Sequence, residues 1–155
     1  MTEIPDFSKD PYIPAVADQG KNIRTIGWLG TSVPSGRKGT VSSDCLQAIK
    51  YYMTAHRRDD GFLGNHTCEI CTGNPVETHG EFFIDLAHYR YVMPQMLLHY
   101  IEAHGYRPPD EFLMTLERHW REQGQAMLRM NPHGRCVLTL QERSAFKLVI
   151  TPERE

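Results

Sequence analysis

The sequence predicts one small α+β domain, in which a Cys-x2-Cys loop and a β-hairpin precede a helical core, and a long helix and a second hairpin follow. Three observations support this fold class. The chain has 155 residues, which is enough for one domain to bury a core without covalent staples. Its residues are 40% hydrophobic and 23% charged, as in a folded domain. Helical and strand patterns alternate along it, and no internal repeat occurs.

The N-terminal part differs in composition from the rest. Residues 1–24 contain three prolines and little periodicity, which predicts an irregular arm laid over a single domain of residues 25–155. The apolar stretch 23–29 follows as a strand or turn, and its Trp28 is expected to anchor the arm to the core. A glycine-rich loop comes next, without the Gly-Lys-Ser/Thr ending of a phosphate-binding loop.

The first helix is predicted from its cap and its apolar face. Ser42 or Ser43 can cap a helix that begins at Asp44 and runs to about His56, because a serine oxygen accepts a hydrogen bond from the first-turn amides. The apolar residues recur at the spacing of one buried helical face: Cys45, Leu46, Ile49, Tyr52 and Met53.

A β-hairpin and a second helix are predicted next. The stretches 81–86 and 89–92 are rich in aromatic and β-branched residues, which predicts two strands joined by a turn at residues 87–88. Pro94 suits the first turn of the helix that follows, since a proline nitrogen has no hydrogen to leave unpaired there. Gly105 is expected to end this helix.

The C-terminal part predicts a long helix and another hairpin. Pro109 or Asp110 opens a helix that continues to about Met130 with a regular apolar face. The apolar stretches 136–140 and 146–150 then predict the two strands of a hairpin.

Four potential metal ligands lie on the loop before the hairpin and on the helix after it. Cys68-x2-Cys71 lets two thiolates approach one ion, and His99-x4-His104 supplies two imidazoles. Four soft or borderline ligands suit tetrahedral Zn²⁺, so we predict a zinc-knuckle loop and a zinc ion bound by these four residues. On an ideal helix two residues five apart point about 140° away from each other. We therefore expect one histidine to leave helical geometry.

A fifth candidate complicates the ligand set. His66 lies two residues before Cys68 and can reach the same ion. If His66 binds the metal, either His99 or His104 becomes a neighbouring group or an acid/base residue. The alternative without a metal is a reduced Cys68/Cys71 redox pair with ordinary packed histidines.

Charge and cysteine usage limit the partners and the compartment. The net charge of −2 gives no general attraction to nucleic acid or to anionic membranes, so neither is expected as a partner. No stretch has the apolar length of a membrane span, and the first residues lack the features of a signal peptide, so we expect the cytoplasm. In that compartment Cys45 and Cys136 are expected to be core thiols and not a disulfide.

Three short patterns occur together in the chain: Gly27-Trp28-Leu29, His66-x-Cys68-x2-Cys71 and His99-Tyr100-x3-His104-x-Tyr106-x-Pro108-Pro109. Together they resemble a family of small uncharacterised bacterial proteins, over roughly residues 25–113. The resemblance implies a shared metal-centred or tightly packed core and implies no reaction. After Phe112 the chain departs from the family, and the long helix and the last hairpin form an extension.

Motifs of catalysis are missing from the sequence. It has neither the His-Glu-x2-His of metalloproteases nor the Gly-x-Ser-x-Gly of hydrolases. His79-Gly80-Glu81 resembles the His-x-Glu of zinc deaminases, but there it precedes the thiol pair, and a proline stands where this chain has Thr67. The sequence thus indicates a metal more clearly than a reaction.

We therefore expect a structural zinc site in a binding or regulatory module that interacts with another protein, and a role other than catalysis is favoured. A closed four-ligand site leaves no position for a substrate. The first alternative is a small zinc hydrolase, in which three candidate ligands bind the metal, a water takes the fourth position and His66 or Glu69 moves the proton. The second is an immunity or defence-related inhibitor, which no particular residue indicates. The oligomeric state stays open.

Overall fold

Three helices and two small sheets form the described part of the chain, so the predicted α+β class is confirmed. The computed structural model describes residues 3–8, 22–59 and 64–129, with side chains described as far as residue 124. The elements are β1 (Asn22–Thr25), α1 (Ser43–Ala55), β2 (Arg57–Arg58), β3 (His66–Thr67), β4 (Glu77–Thr78), β5 (Glu81–Leu86), β6 (Tyr89–Pro94), α2 (Leu97–His104) and α3 (Asp110–Arg129). Within these ranges no helix combines the length and the hydropathy that crossing a membrane requires.

The larger sheet has four strands in the order β1-β6-β5-β2. β5 and β6 form the predicted hairpin, with Leu86 opposite Tyr89 at the turn, and β1 lies parallel to β6. Alternation along β5 buries Phe82, Ile84 and Leu86 on the face that α1 and α3 cover. This sheet and the two helices hold most of the apolar core.

The smaller sheet is a two-stranded ribbon. β3 and β4 pair antiparallel, and we call these strands and the loop between them, residues 66–78, the knuckle ribbon. Each of its strands has only two residues. The ribbon precedes the β5–β6 hairpin in the chain, and α2 follows that hairpin.

The helix boundaries follow the sequence with one exception. Ser42 caps α1, because its side chain accepts a hydrogen bond from the Cys45 amide at 3.3 Å. The placement of Pro94 in a helix was wrong: it ends β6, and α2 begins at Leu97. Pairing with Glu81 extends the strand to this proline, where the missing N–H does little damage to the ladder. The second predicted hairpin lies outside the described residues.

Residues 3–8 lie along β1. The Ile4 amide donates to the Trp28 carbonyl at 3.0 Å, and the Phe7 amide donates to the Thr25 carbonyl at 2.7 Å. Ile4 and Trp28 are both buried, as the sequence predicted for the tryptophan. β1 itself begins inside the range predicted as an arm.

Candidate metal centre

The two cysteines of the predicted site lie in the loop of the knuckle ribbon. Cys68 directly follows β3, and its amide donates to the Val76 carbonyl at 2.9 Å, which closes the loop. Burial raises the pKa of the Cys68 thiol, whereas the backbone N–H groups of Cys71 and Ile70 donate to its sulfur and lower it in part. Such amide donors stabilise a thiolate, which is the form that binds metal.

The two histidines lie on α2. His99 is within the helix and His104 is its last residue, so the expectation that one histidine leaves helical geometry was wrong. The backbone departs from the helix only at Gly105, which has a φ of 68°. The amide of Gly105 donates to the Tyr100 carbonyl and ends the helix as predicted. Burial, and then the neighbouring His104, lower the pKa of His99 and favour the neutral imidazole that binds metal.

The four side chains meet between the ribbon loop and the end of α2. The Nε2 atom of His104 lies 3.4 Å from the Cys68 Sγ, 3.4 Å from the Cys71 Sγ and 3.2 Å from the His99 Nε2. The His99 Nε2 lies 3.2 Å from the Cys71 Sγ. One donor atom from each residue lies within 4.8 Å of all the others, and we call these four residues the Cys–His group.

These separations fit one shared ion. With Zn–S bonds of about 2.3 Å and Zn–N bonds of about 2.0–2.1 Å, the edges of a zinc tetrahedron measure about 3.5 Å for S···N and about 3.3 Å for N···N. Hydrogen bonds alone do not explain the contacts. The Nε2 of His104 can donate one hydrogen or accept one, yet three donor atoms surround it at 3.2–3.4 Å. The Cys–His group is therefore close enough to coordinate a metal ion.

His66, the fifth candidate, lies outside the Cys–His group. Its Nε2 is 3.1 Å from the Tyr100 hydroxyl oxygen, and its ring is parallel to that of Trp28, with 6.2 Å between the centroids. Only 7% of the residue is exposed, and burial lowers its pKa. His66 thus attaches the first strand of the ribbon to the core.

Other residues considered in the sequence lie elsewhere. The His79 Nδ1 is 2.8 Å from the Gly64 carbonyl oxygen, and the Glu81 carboxylate pairs with Arg58 at 3.0 Å. Neither belongs to the Cys–His group. Cys45 is a buried free thiol, as predicted, whereas Cys136 lies outside the described residues.

Tyr100 is the residue that sequence reasoning missed. In the sequence it stood out only as part of the His99-Tyr100-x3-His104 pattern, with no role assigned to it, yet its hydroxyl is the hydrogen-bond partner of His66. Burial raises the pKa of Tyr100 well above its usual value, so the hydroxyl keeps its proton, and the tautomer of His66 decides which of the two groups donates. The signal in the sequence was its position directly after His99, because a residue next to a candidate ligand is often close to the same metal site.

The fold and the Cys–His group define a small α+β domain with a candidate metal centre. Residues 2–117 match the model of a family described as a domain of unknown function (DUF7919), and the chain belongs to this family. The expected resemblance is thus confirmed as membership of an uncharacterised domain family. The matched range includes residues 3–8 and the whole Cys–His group, and it ends within α3. No curated protein and no solved structure matches the chain significantly.

Proposed function

We propose that the Cys–His group binds a structural zinc ion, and that the domain is a binding or regulatory module for another protein. The observation that carries the proposal is the set of contacts of 3.2–3.4 Å among the donor atoms, which are close to the edges of a zinc tetrahedron. Two thiolates and two imidazoles form a common donor set for structural zinc.

A structural role follows from the number of donors and from the weakness of the ribbon. Four protein ligands fill a tetrahedral site and leave no position for a substrate or an activated water. The knuckle ribbon pairs only two residues per strand, and a pair of strands this short is not stable alone. A metal that joins its loop to α2 contributes folding free energy to both elements.

A protein is the partner class that we favour. The net charge of −2 gives no general attraction to a polyanion, and residues 72–77, which follow Cys71 in the knuckle ribbon, are exposed. The partner is tested with two baits, the zinc-loaded protein and its Cys68→Ser variant. A protein retained by the first and lost with the second supports a zinc-dependent surface, whereas equal retention contradicts it.

The metal is tested by mass spectrometry of the purified protein and by X-ray absorption at the zinc edge. We expect one zinc per chain with two sulfur and two nitrogen neighbours. An oxygen neighbour in place of one of them contradicts the closed site and favours a hydrolase. Absence of bound metal after reconstitution with zinc contradicts the proposal as a whole.

Substitutions identify the ligands. We expect Cys68→Ser and His104→Ala each to lower the zinc content and the melting temperature together, because each removes one of four donors. Two variants are the matched controls for zinc content: Cys45→Ser changes a buried thiol outside the group, and His88→Ala removes an exposed histidine of the hairpin turn. Equal zinc content in all four variants would sink the assignment.

The hydrolase alternative has less support from the geometry. His66, one of its two candidate proton carriers, is buried and hydrogen-bonded to Tyr100. Glu69, the other, is exposed on the ribbon loop. The immunity or defence-related role stays a prediction, on which no contact of the described residues bears.

A further inference from the structure

Segment 3–8 is connected to residues that hold the knuckle ribbon and α2 in place. The knuckle ribbon carries the two cysteines and α2 carries the two histidines, and each element is flanked by a buried aromatic or imidazole side chain. His66 comes two residues before Cys68, and Tyr106 comes two residues after His104. Both side chains connect to segment 3–8, directly or through one residue.

The first connection passes through Trp28. Ile4 packs with this tryptophan in a small apolar cluster, and the Ile4 amide donates to the Trp28 carbonyl. The indole is parallel to the ring of His66, at an interplanar angle of 3°. Displacement of Ile4 therefore removes packing from the tryptophan that supports the start of the ribbon.

The second connection passes through the Asp6 carboxylate. One oxygen accepts the Gly27 amide at 2.9 Å, and the other accepts the Tyr106 hydroxyl at 2.8 Å. Burial raises the pKa of Tyr106 well above its usual value, so the hydroxyl remains a donor. The Asp6 side chain is 10% exposed, and Arg37 approaches it at 3.9 Å. This hydrogen bond ties segment 3–8 to the chain that leaves α2 at His104.

We propose that zinc binding and the docking of segment 3–8 on β1 are thermodynamically coupled, so that loss of the metal releases this segment. The inference rests on the proposed zinc site. It adds a regulatory role, since undocking uncovers the Trp28 and Thr25 carbonyls that the segment now occupies. The metal centre then controls the exposure of one edge of the four-stranded sheet.

The coupling has a simple physical origin. Zinc fixes Cys68 and His104 relative to each other, and this also fixes His66 and Tyr106, which segment 3–8 requires in place. Binding free energies are reciprocal, so a docked segment must strengthen zinc binding by the same factor by which zinc strengthens docking. Couplings of this kind are typically about 5-fold to 150-fold.

Amide hydrogen exchange of the whole chain tests the first direction. The Ile4 amide donates to the Trp28 carbonyl and the Phe7 amide to the Thr25 carbonyl of β1 only while the segment is docked. We expect both to exchange about 5-fold faster or more after zinc is removed with a chelator. The His56 amide, which donates to the Tyr52 carbonyl at the end of α1, is the internal control and should change less.

Zinc titration of two variants tests the reverse direction. Asp6→Asn keeps the shape of the side chain but removes its charge and leaves one acceptor oxygen in place of two, so it cannot accept from the Gly27 amide and the Tyr106 hydroxyl together. We expect its zinc dissociation constant to rise about 5-fold or more. Asp44→Asn is the matched control, because it breaks a carboxylate–Arg121 contact of 2.8 Å on another side of the molecule. Its dissociation constant should equal that of the wild type.

The possible outcomes separate this inference from the proposed function. A wild-type chain that takes up no zinc overturns both. Zinc uptake with unchanged exchange at Ile4 and Phe7 overturns the coupling and leaves the zinc site intact. Equal zinc affinity of Asp6→Asn and the wild type also overturns the coupling, because the reciprocal effect is then missing.

Discussion

The four-stranded sheet and the knuckle ribbon are stabilised in different ways. The sheet packs against α1 and α3 through a continuous core of fully buried side chains, among them Phe82, Ile84 and Trp120. The ribbon has two residues per strand, an exposed loop, and few buried side chains, chiefly His66 and Cys68. Apolar burial therefore accounts for the first region, whereas the second depends more on hydrogen bonds and, under the proposed zinc site, on metal coordination.

The difference predicts which part of the molecule would depend on the proposed zinc ion. A closed apolar core keeps its free energy of burial whether or not zinc is bound. A ribbon this short loses its order when its loop is no longer joined to α2. We therefore expect metal loss to loosen the ribbon and its neighbours while the sheet and the helices α1 and α3 persist.

Truncation of a core side chain tests the four-stranded sheet, and we expect it to cause the greatest loss of stability. Phe82 lies on the central strand β5 with no exposed surface, so Phe82→Ala leaves a cavity in the core. We expect the free energy of unfolding to fall by about 3–5 kcal/mol, measured by urea denaturation. Zinc bound per folded molecule should stay at one. A variant that loses zinc while still folded would show that the two regions are not separable in this way.

Two matched Tyr→Phe variants test the knuckle ribbon, and we expect a smaller loss of stability from each. The Tyr100 hydroxyl meets the His66 Nε2 at 3.1 Å, and the Tyr52 hydroxyl meets the His119 Nε2 at 3.2 Å between α1 and α3. Both tyrosines are buried, so each Tyr→Phe variant leaves an imidazole without that hydrogen bond, at a cost of about 1–3 kcal/mol.

Only one of the two variants should affect the metal. Tyr100→Phe loosens the start of the ribbon, and we expect faster loss of zinc to a chelator that reports metal by its absorbance. Tyr52→Phe should lose zinc at the wild-type rate, since its hydrogen bond joins two helices of the other region. Equal rates in the two variants would contradict the role of His66 as a support of the metal loop.

The sequence predicted which four candidate ligands lie together better than it predicted the residues that support them, and the reason is physical. Cys68-x2-Cys71 and the pair on α2 are local patterns whose spacing is fixed by the chemistry of one ion. The environment of His66 is not local, because its partner Tyr100 lies 34 residues away and becomes a neighbour only through packing. The prediction for Pro94 was wrong for a related reason: pairing of its strand with β5 outweighed the local preference of proline for a helix start.

The fold class and the helices could be predicted because caps and apolar periodicity act within one element. Ser42 and the helix ends are examples. The course of segment 3–8 could not be predicted, since no periodicity marks it. Its contacts with Thr25 and Tyr106 join residues distant in sequence, and a single Asp6 between apolar neighbours carries no pattern.

The weakest effect that we expect is a pH dependence of the stability of the sheet region in the zinc-free protein. His56 is the C-cap of α1, its ring stacks on Phe83, and its Nδ1 lies 3.0 Å from the Phe83 carbonyl oxygen. Burial lowers the pKa of His56, while the Phe83 carbonyl and then Asp85 raise it in part and Arg90 lowers it. The unfolded state, with a histidine pKa of about 6.5, therefore binds the proton more readily than the folded state does.

The free energy of unfolding must then fall as the pH drops through about 6.5 toward the lower pKa of the folded state. The slope for one group is at most about 1.4 kcal/mol per pH unit, and solvent screening reduces it because His56 is only partly buried. Urea unfolding of the zinc-free wild type and of His56→Gln at pH 7.5 and 5.5 measures how much free energy of unfolding each protein loses on acidification. The contributions of the other histidines cancel when the two losses are compared. A smaller loss of stability in His56→Gln supports a pH response that belongs to the sheet. Identical losses would place all of the acid sensitivity elsewhere, and the metal ligands would be the next groups to test.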